Sequence, residues 1–236
     1  MLKIPMSPEQ LIQETYGRLL AAYGPQGWWP AETAFEMMVG AVLTQACNWV
    51  NVEKAIAGLK SADVLSPARI LARPEPELAA LIRPTGYYNA KARKLKALAG
   101  LLVAYFEGDP GNMAAVPTAR LRKMLLTVHG VGEETADDIL LYAAGKAVFV
   151  IDAYTRRLVG RMGMADDKAS YGELSAKFAN ASFRQVSDTG PAEVMGEYHA
   201  LIVRHAKEAC RKVPICGRCV LSDLCPTGIA ARAAPG

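Results

Sequence analysis

The sequence contains no long apolar run. No stretch of its 236 residues approaches the roughly 18 uninterrupted apolar residues that a membrane-spanning helix needs. The first ten residues, MLKIPMSPEQ, also lack the charged-then-apolar order of a signal peptide. We therefore expect a cytoplasmic chain that is not associated with a membrane.

The amino-acid composition is also not that of a disordered chain. Hydrophobic residues make up 51% of the chain and charged residues 21%, with a formal net charge of +4, whereas disordered chains combine low hydrophobicity with high net charge. The length lies between one large domain and two small ones, and is sufficient for a full core. The five cysteines in a reducing compartment favour metal or cluster ligation over disulfides.

Basic residues are concentrated in four segments, although the net charge is mild. These segments are residues 91–96 (KARKLK), 119–123 (ARLRK), 155–161 (TRRLVGR) and 204–212 (RHAKEACRK). A basic face binds phosphates in a salt-dependent way. Any one of these segments can equally be a solvated helix face, so four together indicate nucleic-acid binding without establishing it.

Alternation with a period of two residues is scarce, which argues against strands. Apolar residues instead recur at helical spacing, as in Phe35, Met38, Val39, Val42 and Leu43. Gly and Pro cluster at the breaks between such segments. We predict an all-α chain of about ten helices, with one helical lobe formed by residues 1–35 and 146–236 and another by residues 36–145.

The C-terminal region carries a cysteine motif. It contains four cysteines with five, two and five residues between successive ones: Cys210, Cys216, Cys219 and Cys225. Four thiolates within a short loop suit a [4Fe–4S] cluster, in which each iron takes one thiolate. A zinc site with four cysteines is the alternative, although zinc sites more often use two CxxC knuckles and only one occurs here. We expect the fifth cysteine, Cys47, to be a buried structural thiol.

A second motif is LTVHGVGEETADDILL at residues 126–141, followed by VIDAY at residues 150–154. A helix ending near Thr127, a tight turn from His129 to Gly132 and a new helix at Glu133 would form a hairpin of helices. Its glycines allow close backbone approach, and the N–H groups at the start of the second helix can bind an anion such as a DNA phosphate. Taken alone, GVG also fits an ordinary corner between two helices.

HGVGEETAD, VIDAY and the cysteine tail, in this order, resemble the helix-hairpin-helix DNA glycosylase superfamily, the group that contains endonuclease III. The resemblance implies a two-lobed helical fold with a C-terminal [4Fe–4S] loop at residues 210–225 and a helix-hairpin-helix at about residues 118–144. It also implies that the hairpin grips the DNA backbone and that Asp152 is catalytic. The hairpin residues that would bind DNA are His129, Gly130, Val131 and Gly132. The spacing between the first two cysteines is five residues, where endonuclease III usually has six.

GWWPAETAFEMMVGAVLTQACNW and RPTGYYNAKARKL resemble the narrower 3-methyladenine DNA glycosylase branch. This resemblance implies that Gln45 fills the gap left by a flipped nucleotide. It also implies a pocket for an alkylated base formed by Trp28, Trp29, Pro30 and Trp49, with Glu134 close to it. Tryptophans usually pack in cores and acids favour the first turn of a helix, so structural roles for these residues stay open.

The chain departs from endonuclease III inside the hairpin. Strand-cutting members carry a lysine two residues after the second glycine, and its amine forms a Schiff base with the sugar. Here that residue is Glu134, and a carboxylate cannot form an imine. The resemblance therefore predicts a DNA N-glycosylase without lysine-dependent lyase activity, acting on alkylated purines such as 3-methyladenine in base excision repair.

Two other functions compete with this interpretation. One is an endonuclease III-type glycosylase for oxidised pyrimidines, and the other is a non-catalytic DNA-binding protein that keeps the hairpin. Asp152 can also be a helix N-cap, which is compatible with catalysis. His129, His199 and His205 belong to no catalytic motif. We expect a monomer that binds double-stranded DNA containing damaged bases, located with the nucleoid of a bacterial or archaeal-type cell.

Overall fold

The computed structural model of the chain describes residues 6–166, 168–181, 183 and 189–233. No β-strand occurs in this described part, which confirms the predicted all-α class. None of its helices is both long and apolar enough to cross a membrane. The α-helices, in chain order, are α1 (Pro8–Tyr23), α2 (Ala34–Leu43), α3 (Trp49–Ser61), α4 (Pro67–Ala72), α5 (Glu75–Leu81), α6 (Tyr88–Phe106), α7 (Thr118–Leu126), α8 (Glu133–Asp138), α9 (Ala153–Met162), α10 (Tyr171–Ala179), α11 (Pro191–Glu208) and α12 (Pro226–Ala233).

Shorter helical segments occur between these helices. A π-helical segment, Ile139–Ala143, continues α8 directly. The 3₁₀ segments are Arg83–Thr85, Pro110–Ala115 and Cys216–Arg218. Two of the 3₁₀ segments fall where Gly and Pro cluster in the sequence, as expected for residues that interrupt helices.

The chain divides into two compact units. The terminal unit comprises Met1–Trp28 and Ala147–Gly236, and the central unit comprises Trp29–Lys146. The sequence-based lobes have their boundaries at 35/36 and 145/146, so the first boundary differs by seven residues and the second by one. Trp28 and Trp29 consequently belong to different units.

The core of the terminal unit holds α11 against α1. Tyr198 on α11 is fully buried, and its hydroxyl donates to the carbonyl of Ile12 on α1 at 3.0 Å. Phe149 and Phe178 stack with their ring centroids 4.3 Å apart, and both rings contact Tyr198. This aromatic packing fixes the helix that carries the two histidines of the unit.

The core of the central unit surrounds α2, whose residues from Phe35 to Leu43 are all buried. Lys91 on α6 is only 2% exposed, and its ammonium group donates to the carbonyls of Leu43 and Thr85, each at 2.9 Å. Burial lowers the pKa of Lys91. The lysine thereby satisfies a carbonyl at the C-terminal end of α2, where a positive charge also complements the helix dipole.

Several basic residues of the four segments are buried or bonded within the protein and do not form a free basic surface. Lys91 is buried, and Lys96 donates to the carbonyl of Leu71 at 2.7 Å. Arg122 is paired with Asp137 at 2.7 Å and with Glu133 at 3.3 Å. Fewer positive charges are therefore available to bind DNA than the number of basic residues in the four segments indicates.

Candidate functional site

The hairpin has the predicted bounds. α7 ends at Leu126 and α8 begins at Glu133, with a turn between them. Val131 is 6% exposed and anchors the turn in the central unit, whereas His129 is exposed. The Arg122 guanidinium on α7 reaches Glu133 and the buried Asp137 on α8, so the two helices are clamped together.

Gln45 forms hydrogen bonds with this hairpin. Its amide nitrogen donates to the carbonyl of Gly130 at 3.1 Å and to the hydroxyl of Thr135 at 2.9 Å. Its amide oxygen accepts from the ammonium group of Lys94 at 2.5 Å. Gln45 therefore connects the turn after α2 to the hairpin, and a gap-filling role in DNA requires these bonds to break.

Gly130 is expected to tolerate a side chain far less well than Gly132. Gly130 has a φ of +79°, and an added Cβ would overlap the Lys94 side chain. Gly132 is the N-cap of α8 with a φ of −92°, and an added Cβ would meet nothing within 4 Å. Gly130→Ser should lower the unfolding free energy by about 1–2 kcal/mol, as measured by urea denaturation.

Gly132→Ser is the matched control for this prediction. It should leave stability unchanged or slightly higher, because serine is a favourable N-cap residue. Equal losses in the two variants would contradict the conformational requirement assigned to Gly130.

An aromatic cluster lies in the central unit. The ring of Trp29 meets Trp49 edge-on with centroids 5.6 Å apart, and it meets Tyr142 in the same manner at 5.4 Å. Asn48 caps α3 by accepting from the N–H of Asn51 at 3.0 Å, which places Trp49 in the first turn. Tyr142 lies on the π-helical segment, a feature that is frequent at functional sites.

The other predicted pocket residues differ in their surroundings. Pro30 and Glu134 are exposed, and Glu134 lies in the first turn of α8. Trp28 is half-buried and is the last residue of the terminal unit's first segment. The structure thus groups Trp29 and Trp49 and adds Tyr142, which the sequence did not single out.

Gly40 provides the space for the Trp29 indole. An added Cβ at Gly40 would lie 3.2 Å from Nε1 of Trp29, whereas one at Gly100 would meet only Leu71, at 4.0 Å. Both residues lie inside helices, where Ala is favoured over Gly by roughly 0.5–1 kcal/mol. Gly100→Ala should therefore raise stability, as measured by thermal unfolding.

Gly40→Ala should gain less stability than Gly100→Ala, because the indole must move. The near-ultraviolet circular dichroism of the tryptophans should change for Gly40→Ala alone. A similar gain in stability with an unchanged tryptophan spectrum for both variants would contradict this close packing.

Asp152 in the terminal unit is the N-cap of α9, as its sequence context suggested. One carboxylate oxygen accepts from the N–H of Thr155 at 2.6 Å, and the other lies 3.7 Å from Nε2 of His199 on α11. The Asp152 side chain is 13% exposed. Burial acts to raise its pKa, but His199 and the N–H of Thr155 outweigh burial and lower the pKa below its usual 3.8.

Removal of His199 is expected to shift the acid side of the activity profile upward. In His199→Gln, burial would act on Asp152 without the opposing contribution of His199, so the pKa of the carboxyl should rise. The ionised fraction would then fall at a higher pH than in the wild type. The pH dependence of base release under single-turnover conditions measures this shift. If the pH at which activity falls on the acid side is the same in both proteins, His199 does not lower the pKa of Asp152.

The cysteine motif lines one small cavity. Besides all four cysteines, its lining includes Arg161, Ala209, Pro214, Thr227 and Gly228. No three His, Cys, Asp or Glu side chains of residues 6–166, 168–181, 183 and 189–233 converge closely enough to hold a single metal ion.

Side chains from α9 and α11 reach this loop. Arg157 donates to the carbonyl of Cys210 at 2.8 Å, and Arg161 donates to Sγ of Cys210 at 3.2 Å. Nε2 of the fully buried His205 lies 3.5 Å from Sγ of Cys219, and burial lowers the pKa of His205 to about 4. The helix that begins at Asp152 therefore also carries side chains that hold the cysteine loop.

Cys47 corrects one sequence-based expectation. Its side chain is half-buried in the turn between α2 and α3, not buried in the core, because the helix ends before it. It lies in the central unit, whereas the cysteine motif belongs to the terminal unit.

Comparison with known proteins adds family information to this geometry. A profile of the HhH-GPD superfamily of base excision DNA repair proteins matches residues 39–182. A Methanocaldococcus jannaschii protein that is provisionally named a DNA repair glycosylase is 44% identical over 218 residues, which cover 92% of this chain and 96% of that protein. Endonuclease III of Escherichia coli strain K12 is 27% identical over 193 residues, 81% of this chain and 82% of that protein.

Solved structures are similar over most of the chain. The 3-methyladenine DNA glycosylase MagIII of H. pylori, bound to 1,N6-ethenoadenine, matches with a TM-score of 0.74 and 28% identity, covering 86% of this chain and 98% of that one. A non-covalent endonuclease III–DNA complex matches with a TM-score of 0.78 and 23% identity, covering 97% and 100% of the two chains. The latter likeness concerns the fold.

Proposed function

Since the chain belongs to the HhH-GPD superfamily of base excision DNA repair proteins, we propose that it is a monofunctional DNA glycosylase that excises alkylated purines such as 3-methyladenine. The observation that carries this proposal is the aromatic cluster of Trp29, Trp49 and Tyr142. The likeness to a 3-methyladenine DNA glycosylase solved with 1,N6-ethenoadenine supports it.

The aromatic cluster suits a positively charged base. An adenine alkylated at N3 carries a positive charge, and the face of an indole attracts a cation by about 0.5–2 kcal/mol, depending on desolvation. The same charge weakens the bond between base and sugar. Such a glycosylase must extrude the nucleotide into a pocket and has little need of a strong acid for the leaving base.

Asp152 would stabilise the sugar as the bond breaks. The departing base leaves positive charge on the sugar ring, and a carboxylate close to that charge lowers the barrier. The lowered pKa of Asp152 keeps the carboxyl ionised at neutral pH. The same carboxylate can also accept a proton from the attacking water.

Glu134 accounts for the expected lack of lyase activity. It occupies the hairpin position at which a lysine would attack the sugar, and a carboxylate forms no Schiff base. Water is then the nucleophile, so the product is an abasic site in an intact strand.

The cysteine loop would hold a [4Fe–4S] cluster. The fit rests on the four thiols, which line one cavity of the terminal unit, and on their spacing, which contains a single CxxC pair. A zinc ion requires all its thiolates about 2.3 Å from one centre, whereas each iron of a cluster binds its own cysteine. The ligands would be Cys210, Cys216, Cys219 and Cys225, and the cluster would stabilise the loop.

The decisive experiment identifies the base that is released. Purified protein is incubated separately with methylated duplex DNA and with a duplex containing thymine glycol, and free bases are separated by chromatography. Release of 3-methyladenine from the first substrate alone is expected. Release of thymine glycol alone would favour the endonuclease III-type alternative, and no release from either would favour a non-catalytic DNA-binding protein.

The lyase assignment has its own test. The protein is mixed with DNA containing an abasic site and treated with borohydride, which traps a Schiff base covalently. No trapped complex is expected, with a lysine-dependent endonuclease III as the positive control. A trapped complex would disprove the monofunctional assignment.

A further inference from the structure

A hydrogen-bonded chain leads from α1 to the cysteine loop within the terminal unit. The hydroxyl of Tyr23, at the end of α1, lies 2.9 Å from Nδ1 of His205 on α11. Nε2 of the same imidazole lies 3.5 Å from Sγ of Cys219. His205 is 0% exposed, so solvent does not reach its imidazole.

The direction of these hydrogen bonds follows from the chemistry of the groups. Burial raises the pKa of Tyr23, which keeps its hydroxyl protonated and able to donate. When Nδ1 accepts from Tyr23, the N–H of a neutral imidazole must be on Nε2. That N–H is directed to Sγ of Cys219. Tyr23 thus selects the tautomer that donates to the sulfur.

Arg161 provides a second donor at another cysteine. One of its terminal nitrogens donates to Sγ of Cys210 at 3.2 Å and to the carbonyl of Arg211 at 2.7 Å. The other donates to the carbonyl of Lys212 at 2.8 Å. The two carbonyls fix the plane of the guanidinium, so the contact with the sulfur does not depend on a freely rotating side chain.

We infer that His205, oriented by Tyr23, and Arg161 are hydrogen-bond donors to the cluster ligands Cys219 and Cys210 and set the reduction potential of the bound cluster. This inference rests on the proposed [4Fe–4S] assignment. A donor to a cysteine sulfur draws electron density away from the iron and stabilises the reduced cluster, which raises the potential. These residues are positioning residues, because they act through the cysteine ligands.

The experiment uses the intact, iron-loaded protein and three variants. His205→Leu removes the donor to Cys219, and Arg161→Gln weakens the donor to Cys210. Tyr23→Phe removes only a hydroxyl and keeps the ring, so it preserves the fold even if the buried His205→Leu variant unfolds. Tyr105→Phe, at an exposed tyrosine of the central unit, is the matched control.

The readouts are the midpoint potential of the cluster and the Fe–S(Cys) stretching bands in resonance Raman spectra. All three variants should have a more negative potential than the wild type, with the smallest shift in Tyr23→Phe, and the control should not shift. The Raman bands of the wild type should move in deuterated buffer, because an exchangeable proton is bonded to the sulfur. His205→Leu should lose part of that isotope effect.

The possible failures can be told apart. A wild-type protein that contains the cluster while the three variants keep its potential and Raman bands would overturn this inference alone. A wild-type protein that is colourless and contains zinc would overturn the cluster assignment as well. Base release from methylated DNA is independent of both readouts and tests the proposed enzymatic function by itself.

Discussion

Asp152→Asn should slow base release from methylated DNA by about 10²–10⁴-fold while leaving the fold intact. Loss of a charge that stabilises the transition state or of a general base typically costs about 10²–10⁴-fold in rate. Asn is also a favourable N-cap residue, so it can keep the hydrogen bond from the N–H of Thr155. The rate of base release under single-turnover conditions measures the effect, and circular dichroism verifies the fold.

The control for this prediction is Asp109→Asn in the central unit. Asp109 is exposed and also caps a helical segment, because its carboxylate accepts from the N–H of Gly111 at 2.8 Å. This variant should retain wild-type activity. If Asp152→Asn releases base at the wild-type rate, Asp152 is only a helix cap and the catalytic assignment fails.

The proposed cluster assignment predicts that Cys216→Ser loses iron and much of the stability of the terminal unit. Serine is a poor ligand for iron, and metal binding at a structural site contributes to folding, by about 10 kcal/mol or more in zinc-finger peptides. A loss of several kcal/mol would lower the melting temperature by about 10 °C or more in a chain of this size. Iron content, visible absorbance and thermal unfolding measure these effects.

Cys47→Ser is the matched control for the cysteine substitution. Cys47 is a half-buried thiol of the other unit, and its sulfur contacts the carbonyl of Asn48 at 3.4 Å. This variant should keep full iron content and nearly the wild-type melting temperature. Retention of iron in Cys216→Ser, or an equal loss in both variants, would contradict the ligand assignment.

The most accurate sequence-based predictions concern local structure. The end of α7 and the start of α8 are where the glycines and the following acids place them. Asp152 caps α9 because a short polar side chain at that position accepts a backbone N–H three residues ahead. Such features depend on neighbours within one helical turn, and these are visible in the sequence.

The contacts that build the candidate site were not predictable in this way. Gln45 and Gly130 are 85 residues apart in the chain, and the partner of Asp152 lies on α11. His199 and His205 match no motif, and Tyr142 lies on a π-helical segment that no sequence rule anticipates. The one available signal for the histidines was their position on the buried side of an amphipathic helix.

The sequence also did not show which basic side chains are buried. Lys91 belongs to the KARKLK cluster and looked like part of a phosphate-binding surface, yet it is 2% exposed and holds the end of α2. Clusters of basic residues indicate net charge, but helix rotation decides which side chains face solvent. A long aliphatic stem allows lysine to lie in a core when carbonyls accept its protons.

The sequence by itself determined the all-helical class, the hairpin, the cap at Asp152 and the four-cysteine motif. Each of these depends on a pattern that lies within a short segment: helix periodicity, turn residues or the spacing of ligands. Only the tertiary structure decided that His199 faces Asp152, that Tyr142 joins Trp29 and Trp49, and that Arg161 and His205 reach the cysteine sulfurs. Those pairings depend on how distant helices pack, and packing is set by the shape of the whole core and not by any short segment.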